Sequence, residues 1–189
     1  MALFIKKEGL NMGEFERLDR KLVYNANVID IYEDTIKCPD GKIVKYDYIH
    51  HIGAVAVVPV LDDGRILMVK QYRNALDRDT LEIPAGKLDS VDEKPIDAAM
   101  RELEEETGYK STNLELLLTL RTTVAFCNEK ISVYVAHDFK KTAQNLDDDE
   151  DIDVYAYTVD ELCEMIYESK IQDAKTIAAI MAYKNKYLA

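Results

Sequence analysis

The stretch between Pro95 and Gly108 constrains the fold most, because both of its ends carry helix-boundary residues. Proline suits the first position of a helix, where no N–H is needed, and glycine is the usual residue just beyond the last turn. The apolar residues between them fall on one side of a helix: Ile96, Ala99, Met100 and Leu103. The sequence therefore predicts a helix over 95–107 with one face packed on a core.

Apolar runs on both sides of this helix predict strands. The chain from Gly53 to Val60 is almost wholly apolar, which is typical of a strand covered on both faces, and an Asp-Asp-Gly turn leads into a second strand at 65–72. Further strands are predicted at 114–121, 131–137 and 152–157, and further helices near 159–168 and 173–188. This order of elements indicates an α+β fold with a mixed sheet and helices packed on it.

The N-terminal part of the chain is predicted to form two antiparallel strands. Residues 22–32 and 43–48 are rich in β-branched and aromatic side chains, and the turn-forming triplet Pro39-Asp40-Gly41 lies between them. No repeat or flexible linker divides the chain. We expect an N-terminal β segment over 1–50, followed by the main domain over 51–189.

Charge and composition limit the partners. The 189 residues carry a formal net charge of −12, whereas a nucleic-acid backbone is normally met by a basic surface, so we expect no nucleic-acid partner. No apolar run is long enough to cross a bilayer and no signal peptide is evident, so we expect a cytoplasmic protein without a membrane partner. Three cysteines outside any paired motif indicate reduced thiols. An acidic protein that holds a phosphate substrate needs divalent cations between the two.

Two glutamates of the predicted helix are candidates for holding those cations. Glu102 and Glu106 lie one turn apart, about 40° apart around the helix axis, beside the apolar stripe. Like charges at this spacing repel, and carboxylates near the end of a helix oppose its dipole, so a bound cation would stabilise them. Hard oxygen ligands of this kind suit Mg²⁺ or Mn²⁺. The alternative is that these side chains form only a solvated acidic face.

The predicted helix and the loop before it resemble the Nudix box, the motif of the Nudix hydrolase family. The box is written as Gly, five residues, Glu, seven residues, Arg-Glu-apolar, any residue, Glu-Glu, any residue, Gly-apolar. Residues 101–109 match its second half, and seven residues separate Glu93 from Arg101. Six residues rather than five follow Gly86, so either the loop has an insertion or Asp92 replaces Glu93. We choose Glu93, because its spacing from the helix is kept.

The similarity extends beyond the box to the ADP-ribose pyrophosphatase subgroup. The segments 71–73, 81–89 and 173–176 look like segments of that subgroup. The resemblance implies a Nudix fold, a mixed β-sheet sandwiched between helices, with an N-terminal antiparallel β segment that takes part in an intertwined homodimer. It implies metal-dependent hydrolysis of a small-molecule nucleotide-sugar, with ADP-ribose cut to AMP and ribose 5-phosphate.

The resemblance also assigns roles to individual residues. It implies binding of Mg²⁺, or of Mn²⁺, by one backbone carbonyl and three carboxylates: Ala85, Glu102, Glu105 and Glu106. Glu105 would be shared between metal ions or hold a water, and Arg101 would orient the loop through Glu93. For the catalytic base we choose Glu150, with Asp148 next, although the acidic segment that carries them could equally be only solvated.

Substrate contacts are predicted at three further positions. Arg73 and Glu82 match positions that contact the nucleotide in the subgroup, although a surface salt bridge and a strand-edge carboxylate explain them equally well. Phe126 is expected to line the substrate pocket, or else to belong to the core. Its segment, 122–129, lacks the Pro-Gly that many of these enzymes have there.

Two other functions stay open at this point. One is hydrolysis of another nucleoside diphosphate sugar, such as GDP-mannose, because the metal machinery acts on the pyrophosphate and not on the sugar. The other is a non-catalytic Nudix-fold sensor that binds the ligand without turnover. Such sensors commonly lose box carboxylates, whereas Glu102, Glu105 and Glu106 are all present here.

Overall fold

The structure, a computed structural model, describes residues 14–26, 29–146 and 150–188. The chain divides into two compact units. The N-terminal unit comprises Met1–His51 with Thr123–Asn128, and the main unit comprises Ile52–Thr122 with Glu129–Ala189. No helix in the described ranges is long and apolar enough to cross a membrane.

The N-terminal unit contains a three-stranded antiparallel sheet in the order β1-β2-β3, with β1 at Glu16–Asn25, β2 at Asp30–Lys37 and β3 at Ile43–His50. The antiparallel arrangement predicted from the sequence is confirmed, but the region predicted as one strand over 22–32 contains the end of β1 and the start of β2. Arg20 connects β1 to the other two strands of this sheet. Its guanidinium pairs with both oxygens of Asp34 in β2 at 2.6 Å and lies 3.7 Å from the ring centre of Tyr48 in β3.

The described part of the main unit contains two larger sheets and one small one. The first sheet has the order β7-β4-β10-β9, with β4 at Ala54–Pro59, β7 at Ala85–Lys87, β9 at Asn113–Arg121 and β10 at Lys130–His137. Its β4 and β10 run parallel and its other pairs are antiparallel, so the sheet is mixed as predicted.

The second sheet has the order β12-β5-β6 and is antiparallel throughout. It contains β5 at Ile66–Arg73, β6 at Arg78–Glu82 and β12 at Ile152–Tyr157. The two-residue strands β8 (Tyr109–Lys110) and β11 (Lys140–Lys141) pair with each other.

The described part of the main unit has three helices, α1 at Pro95–Thr107, α2 at Val159–Tyr167 and α3 at Ala174–Tyr187, of which α1 and α3 pack on the mixed sheet. Side chains alternate between the two faces of a strand. Val55 and Val57 of β4 therefore pack in one buried cluster with Leu103 of α1, whereas Ala56 and Val58 belong to the cluster that contains buried residues of α2 and α3. This arrangement confirms the predicted sheet between helices, with α1 packed on one face and α3 on the other.

Candidate active site

Helix α1 has the boundaries that the sequence predicted. It begins with Pro95 and ends before Gly108, whose φ of 67° lies in the left-handed region that glycine adopts without strain. The Gly108 N–H donates to the carbonyl of Glu104 at 2.9 Å, which closes the last turn. The helix therefore presents its last two turns, with four of the glutamates of the chain, at a fixed position beside β7.

Glu106 is the most deeply buried carboxylate of this helix, with 2% of its surface exposed. Its Oε2 accepts a hydrogen bond from the N–H of Ala85 in β7 at 3.0 Å. The pKa of Glu106 is raised to about 8, chiefly by burial and also by the charges of Glu102 and Glu150, while the Ala85 N–H acts to lower it. A cation bound beside Glu106 would stabilise the ionised form of this buried carboxylate.

Glu102 lies one turn before Glu106 and is also largely buried, with 13% of its side chain exposed. Burial raises the pKa of Glu102 to about 7, opposed by Arg101 and reinforced by the charges of Glu105 and Glu150. A β-carbon on Gly86 would lie 2.1 Å from the carboxyl carbon of Glu102. The absence of a side chain at Gly86 therefore lets β7 approach the Glu102 carboxylate closely.

Arg101 is the centre of an ion-pair network at the start of this site. Its Nη1 contacts Glu102 at 2.7 Å and Glu105 at 3.0 Å, and its Nε lies 3.3 Å from Glu93 and 3.4 Å from Asp89. Its Nη2 also donates to the carbonyl of Lys87 at 3.3 Å. The predicted pairing of Arg101 with Glu93 is thus present, and the same guanidinium joins the loop to the helix carboxylates.

The loop on the other side of this network is held by Glu93. The Glu93 Oε2 accepts the N–H of Asp89 at 2.6 Å, and the N–H of Glu93 donates to the carbonyl of Ser90 at 3.3 Å. These two hydrogen bonds connect the two ends of the segment 89–93, and the Glu93 carboxylate also contacts Arg101. The extra residue after Gly86 is accommodated inside this loop, and Glu93 rather than Asp92 reaches the arginine.

The carboxylates of this site suit a hard divalent cation by their chemistry. Glu102 and Glu106 are buried acids with raised pKa values, and a cation would compensate their charge. Among the described residues, however, no three acidic, histidine or cysteine side chains converge on one point. Arg101 explains this arrangement, because it draws Glu102 and Glu105 towards itself while Glu106 is turned to the backbone of Ala85.

A second charged cluster lies where β5, β6 and the start of α3 meet. Arg73 donates from Nε and Nη2 to the two oxygens of Glu82 at 2.8 and 2.7 Å, and Lys175 forms an ion pair with the same carboxylate. Lys175 also contacts Asp173 at 3.0 Å, and Asp173 accepts the N–H of Thr176 at 2.9 Å as the N-cap of α3. Arg73 therefore forms a salt bridge, which was the alternative interpretation from the sequence. Its partner, Glu82, is buried rather than at the surface.

Burial and pairing act in opposite directions on Glu82, whose side chain is 4% exposed. Burial alone would raise the pKa of Glu82, but the hydrogen bond from Arg73, the charge of Lys175 and the hydroxyl of Thr80 lower it to about 2. Glu82 is therefore ionised at neutral pH. The charge of Glu106 raises the pKa of Arg73, which links this cluster electrostatically to α1.

The remaining predicted site residues are Glu150, Asp148 and Phe126. Glu150 is exposed, and its charge raises the pKa of both Glu102 and Glu106. Asp148, the second choice for the base, lies outside the described residues. Phe126 belongs to the N-terminal unit and is 47% exposed, so it is not a core residue.

Two features of these clusters were not assigned a role from the sequence. Lys175 stands in the segment 173–176 that carried the resemblance, but only the fold shows that it neutralises Glu82. Gln144 lies outside every motif, yet its side-chain amide contacts the carbonyl of Glu106. A long-range contact of this kind leaves no periodic pattern in the sequence.

The sequence is similar to those of known proteins over most of its length. The chain is 38% identical over 169 residues to a methanol dehydrogenase activator of Bacillus methanolicus and 37% identical over 169 residues to an ADP-ribose pyrophosphatase of Bacillus subtilis, in each case over 88% of this chain and 91% of the relative. An ADP-ribose pyrophosphatase of Mycobacterium tuberculosis is 31% identical over 89% of this chain and 83% of its own length.

The fold has a solved counterpart. The crystal structure of an ADP compounds hydrolase superposes with a TM-score of 0.84 at 19% identity, over 94% of this chain and 96% of the other. The family model of the NUDIX domain matches residues 50–180, which include both charged clusters. The chain therefore belongs to the Nudix family.

Proposed function

We propose that this protein hydrolyses the pyrophosphate bond of ADP-ribose. Water adds to one phosphorus, the bridging P–O bond breaks, and the products are AMP and ribose 5-phosphate. The observation that carries the proposal is the pair of buried carboxylates, Glu102 and Glu106, one turn apart on α1 and facing the backbone of Ala85 and Gly86. The relatives from Bacillus subtilis and Mycobacterium tuberculosis that are named ADP-ribose pyrophosphatases support the choice of substrate.

The cofactor in this proposal is Mg²⁺, with Mn²⁺ as a substitute. Its ligands would be the carbonyl of Ala85 and three carboxylates of α1: Glu102, Glu105 and Glu106. A divalent ion bound there supplies positive charge to the pyrophosphate and acidity to a coordinated water. Oxygen ligands and the raised pKa values of Glu102 and Glu106 support this choice of metal class.

Arg101 and Glu93 would keep the loop and the helix in register. Arg101 joins the carbonyl of Lys87 and the Glu93 carboxylate on the loop to Glu102 and Glu105 on the helix. Because one rigid guanidinium makes all of these contacts, a shift of the loop would move the two helix carboxylates as well. In this proposal both residues position the site and do not exchange protons.

Glu150 is the proposed general base. Its charge acts on both Glu102 and Glu106, which supports a position near the pyrophosphate. In the proposed step its carboxylate takes the proton of the attacking water. Glu105, with 32% of its side chain exposed, is the second acid that could orient this water.

Arg73 and Glu82 are the proposed contacts for the nucleotide. The Arg73 side chain is 39% exposed although two of its five N–H groups donate to Glu82. Its planar guanidinium suits a phosphate oxygen or the face of a base, and Glu82 fixes its orientation. Phe126, with its exposed ring, remains a predicted substrate contact.

The assembly proposed here is a homodimer formed through the N-terminal β segment, 1–50, with the hydrolase domain over 51–189. Several large apolar side chains of this segment are exposed: Phe15, Leu18, Leu22, Val23, Tyr24, Ile43 and Tyr46. Exposed apolar surface of this extent is typical of an interaction surface. A light-scattering mass of one chain at micromolar concentration would exclude the dimer.

The cytoplasm is the proposed compartment. Cys38, Cys127 and Cys163 form no disulfide among the described residues, as is usual in a reducing environment. Fractionation of cells that express the protein, with detection by antibody, tests this placement. Recovery of the protein from a secreted fraction would contradict it.

Product analysis is the experiment that tests the substrate. Purified protein with Mg²⁺ is incubated with ADP-ribose and, in parallel, with GDP-mannose, and the products are separated by chromatography. We expect AMP and ribose 5-phosphate from ADP-ribose, with the reaction abolished by a chelator. Turnover of GDP-mannose alone would change the substrate, and binding of ADP-ribose without turnover would favour a sensor.

A further inference from the structure

The chain segment after β11 runs along the C-terminal end of α1. The Thr142 N–H donates to the carbonyl of Gly108 at 2.7 Å, and the Asn145 N–H donates to the carbonyl of Glu105 at 3.0 Å. The last carbonyls of a helix have no partner within the helix and need one from elsewhere. These two backbone contacts therefore dock the segment 142–145 on the helix that carries the buried carboxylates.

Gln144 adds a contact of another kind, because its side-chain amide donates to two carbonyls at once. Its Nε2 lies 2.6 Å from the carbonyl oxygen of Glu106 in α1 and 3.2 Å from the carbonyl oxygen of Ile152, the first residue of β12. The chain between Gln144 and Ile152 carries Glu150. One side chain thus bridges the C-terminal end of α1 and the first residue of β12.

The close approach of Gln144 to α1 is independently visible at Gly108. A β-carbon on Gly108 would lie 3.1 Å from the backbone nitrogen of Gln144 and 3.3 Å from the carbonyl carbon of Ala143. Such distances are shorter than ordinary van der Waals contact. A side chain at position 108 would therefore press on this backbone, in addition to straining the left-handed conformation of Gly108.

We propose that Gln144 is a positioning residue for the reaction, which fixes the segment carrying Glu150 relative to Glu106. This inference rests on the proposed function, in which Glu150 is the base. The carbonyl that Gln144 binds belongs to the residue whose side chain is the most buried acid of the site. A base that must take a proton from water beside that acid needs this fixed geometry, since small displacements of reacting groups lower the rate strongly.

The test replaces Gln144 by methionine, which keeps the length of the side chain and removes both donated hydrogen bonds. Asn145→Ala is the matched control, because Asn145 contacts Glu105 through its backbone and keeps that contact. We expect Gln144→Met to lower kcat for ADP-ribose about tenfold with KM changed less than about threefold. Amide hydrogen exchange across 145–151 should rise in Gln144→Met, whereas both readouts should match the wild type in Asn145→Ala.

A double-mutant cycle with Glu150→Gln separates positioning from general stability. If Gln144 acts through Glu150, adding Gln144→Met to Glu150→Gln should lower kcat by less than about twofold. Unchanged kcat in Gln144→Met, or a loss that adds in full to that of Glu150→Gln, would overturn the inference. If the wild type releases no AMP from ADP-ribose, the proposed function fails, and unchanged exchange across 145–151 would then overturn the anchoring by Gln144 as well.

Discussion

The carboxyl carbon of Glu102 lies 2.1 Å from the point that a β-carbon on Gly86 would occupy. The Glu102 carboxylate can lie against β7 at this point because residue 86 has no side chain. The position of one candidate metal ligand is therefore determined by the smallest residue on the facing strand.

Replacement of Gly86 by alanine should push the Glu102 carboxylate away from β7. We expect kcat/KM for ADP-ribose to fall about a hundredfold, because misplacement by an ångström of a group that positions the reaction has an effect of this size. Steady-state kinetics measure the loss, and titration calorimetry with Mg²⁺ should show weaker binding. Wild-type kinetics in Gly86→Ala would mean that the close approach has no functional role.

Arg101→Lys should keep the positive charge and lose the fork that joins the loop to the helix. Lysine has one point charge in place of a planar group, so it cannot contact Glu93, Glu102 and Glu105 together. We expect kcat to fall about tenfold or more. Arg65→Lys is the control, since Arg65 pairs with an exposed turn residue, Asp63. Equal kinetics in both variants would contradict the role of Arg101.

The Glu82 cluster should make the protein sensitive to acid. The pKa of Glu82 is about 2 in the folded protein against 4.5 for the free side chain, so its contribution to stability is present above about pH 4.5 and is lost as the pH falls towards 2. The difference corresponds to about 3 kcal/mol in the free energy of unfolding. Urea unfolding of the wild type and of Glu82→Gln between pH 7 and pH 2 measures it.

Glu82→Gln should be destabilised most at pH 7, because Arg73 and Lys175 then lack their anionic partner. The difference in unfolding free energy between the two proteins should shrink as the pH falls. A constant difference across this range would show that the ion pairs contribute little.

Helix α1 and the strands with long apolar runs could be predicted from the sequence. Pro95 and Gly108 marked the helix ends through local backbone chemistry, which acts without the rest of the fold. The same periodicity placed Glu102 and Glu106 beside the buried stripe, where the structure has them.

Other elements depend on partners that the local sequence does not reveal. Strand β6, Arg78–Glu82, is short and mostly polar, and β7, Ala85–Lys87, has three residues, so neither shows the alternation of a strand. Strand β1, Glu16–Asn25, carries charged and exposed residues and owes its position to pairing with β2. The contacts of Arg101 and Lys175 likewise arise from side chains brought together only by the fold.

The central claim, that buried carboxylates of α1 form the metal-dependent catalytic centre, is tested most directly by Glu106→Gln. Glu104→Gln is the matched control on the same helix, because Glu104 pairs with the exposed Lys110. AMP release from ADP-ribose with Mg²⁺ should fall at least a hundredfold in Glu106→Gln and stay near the wild-type rate in Glu104→Gln. Wild-type turnover by Glu106→Gln would contradict the account.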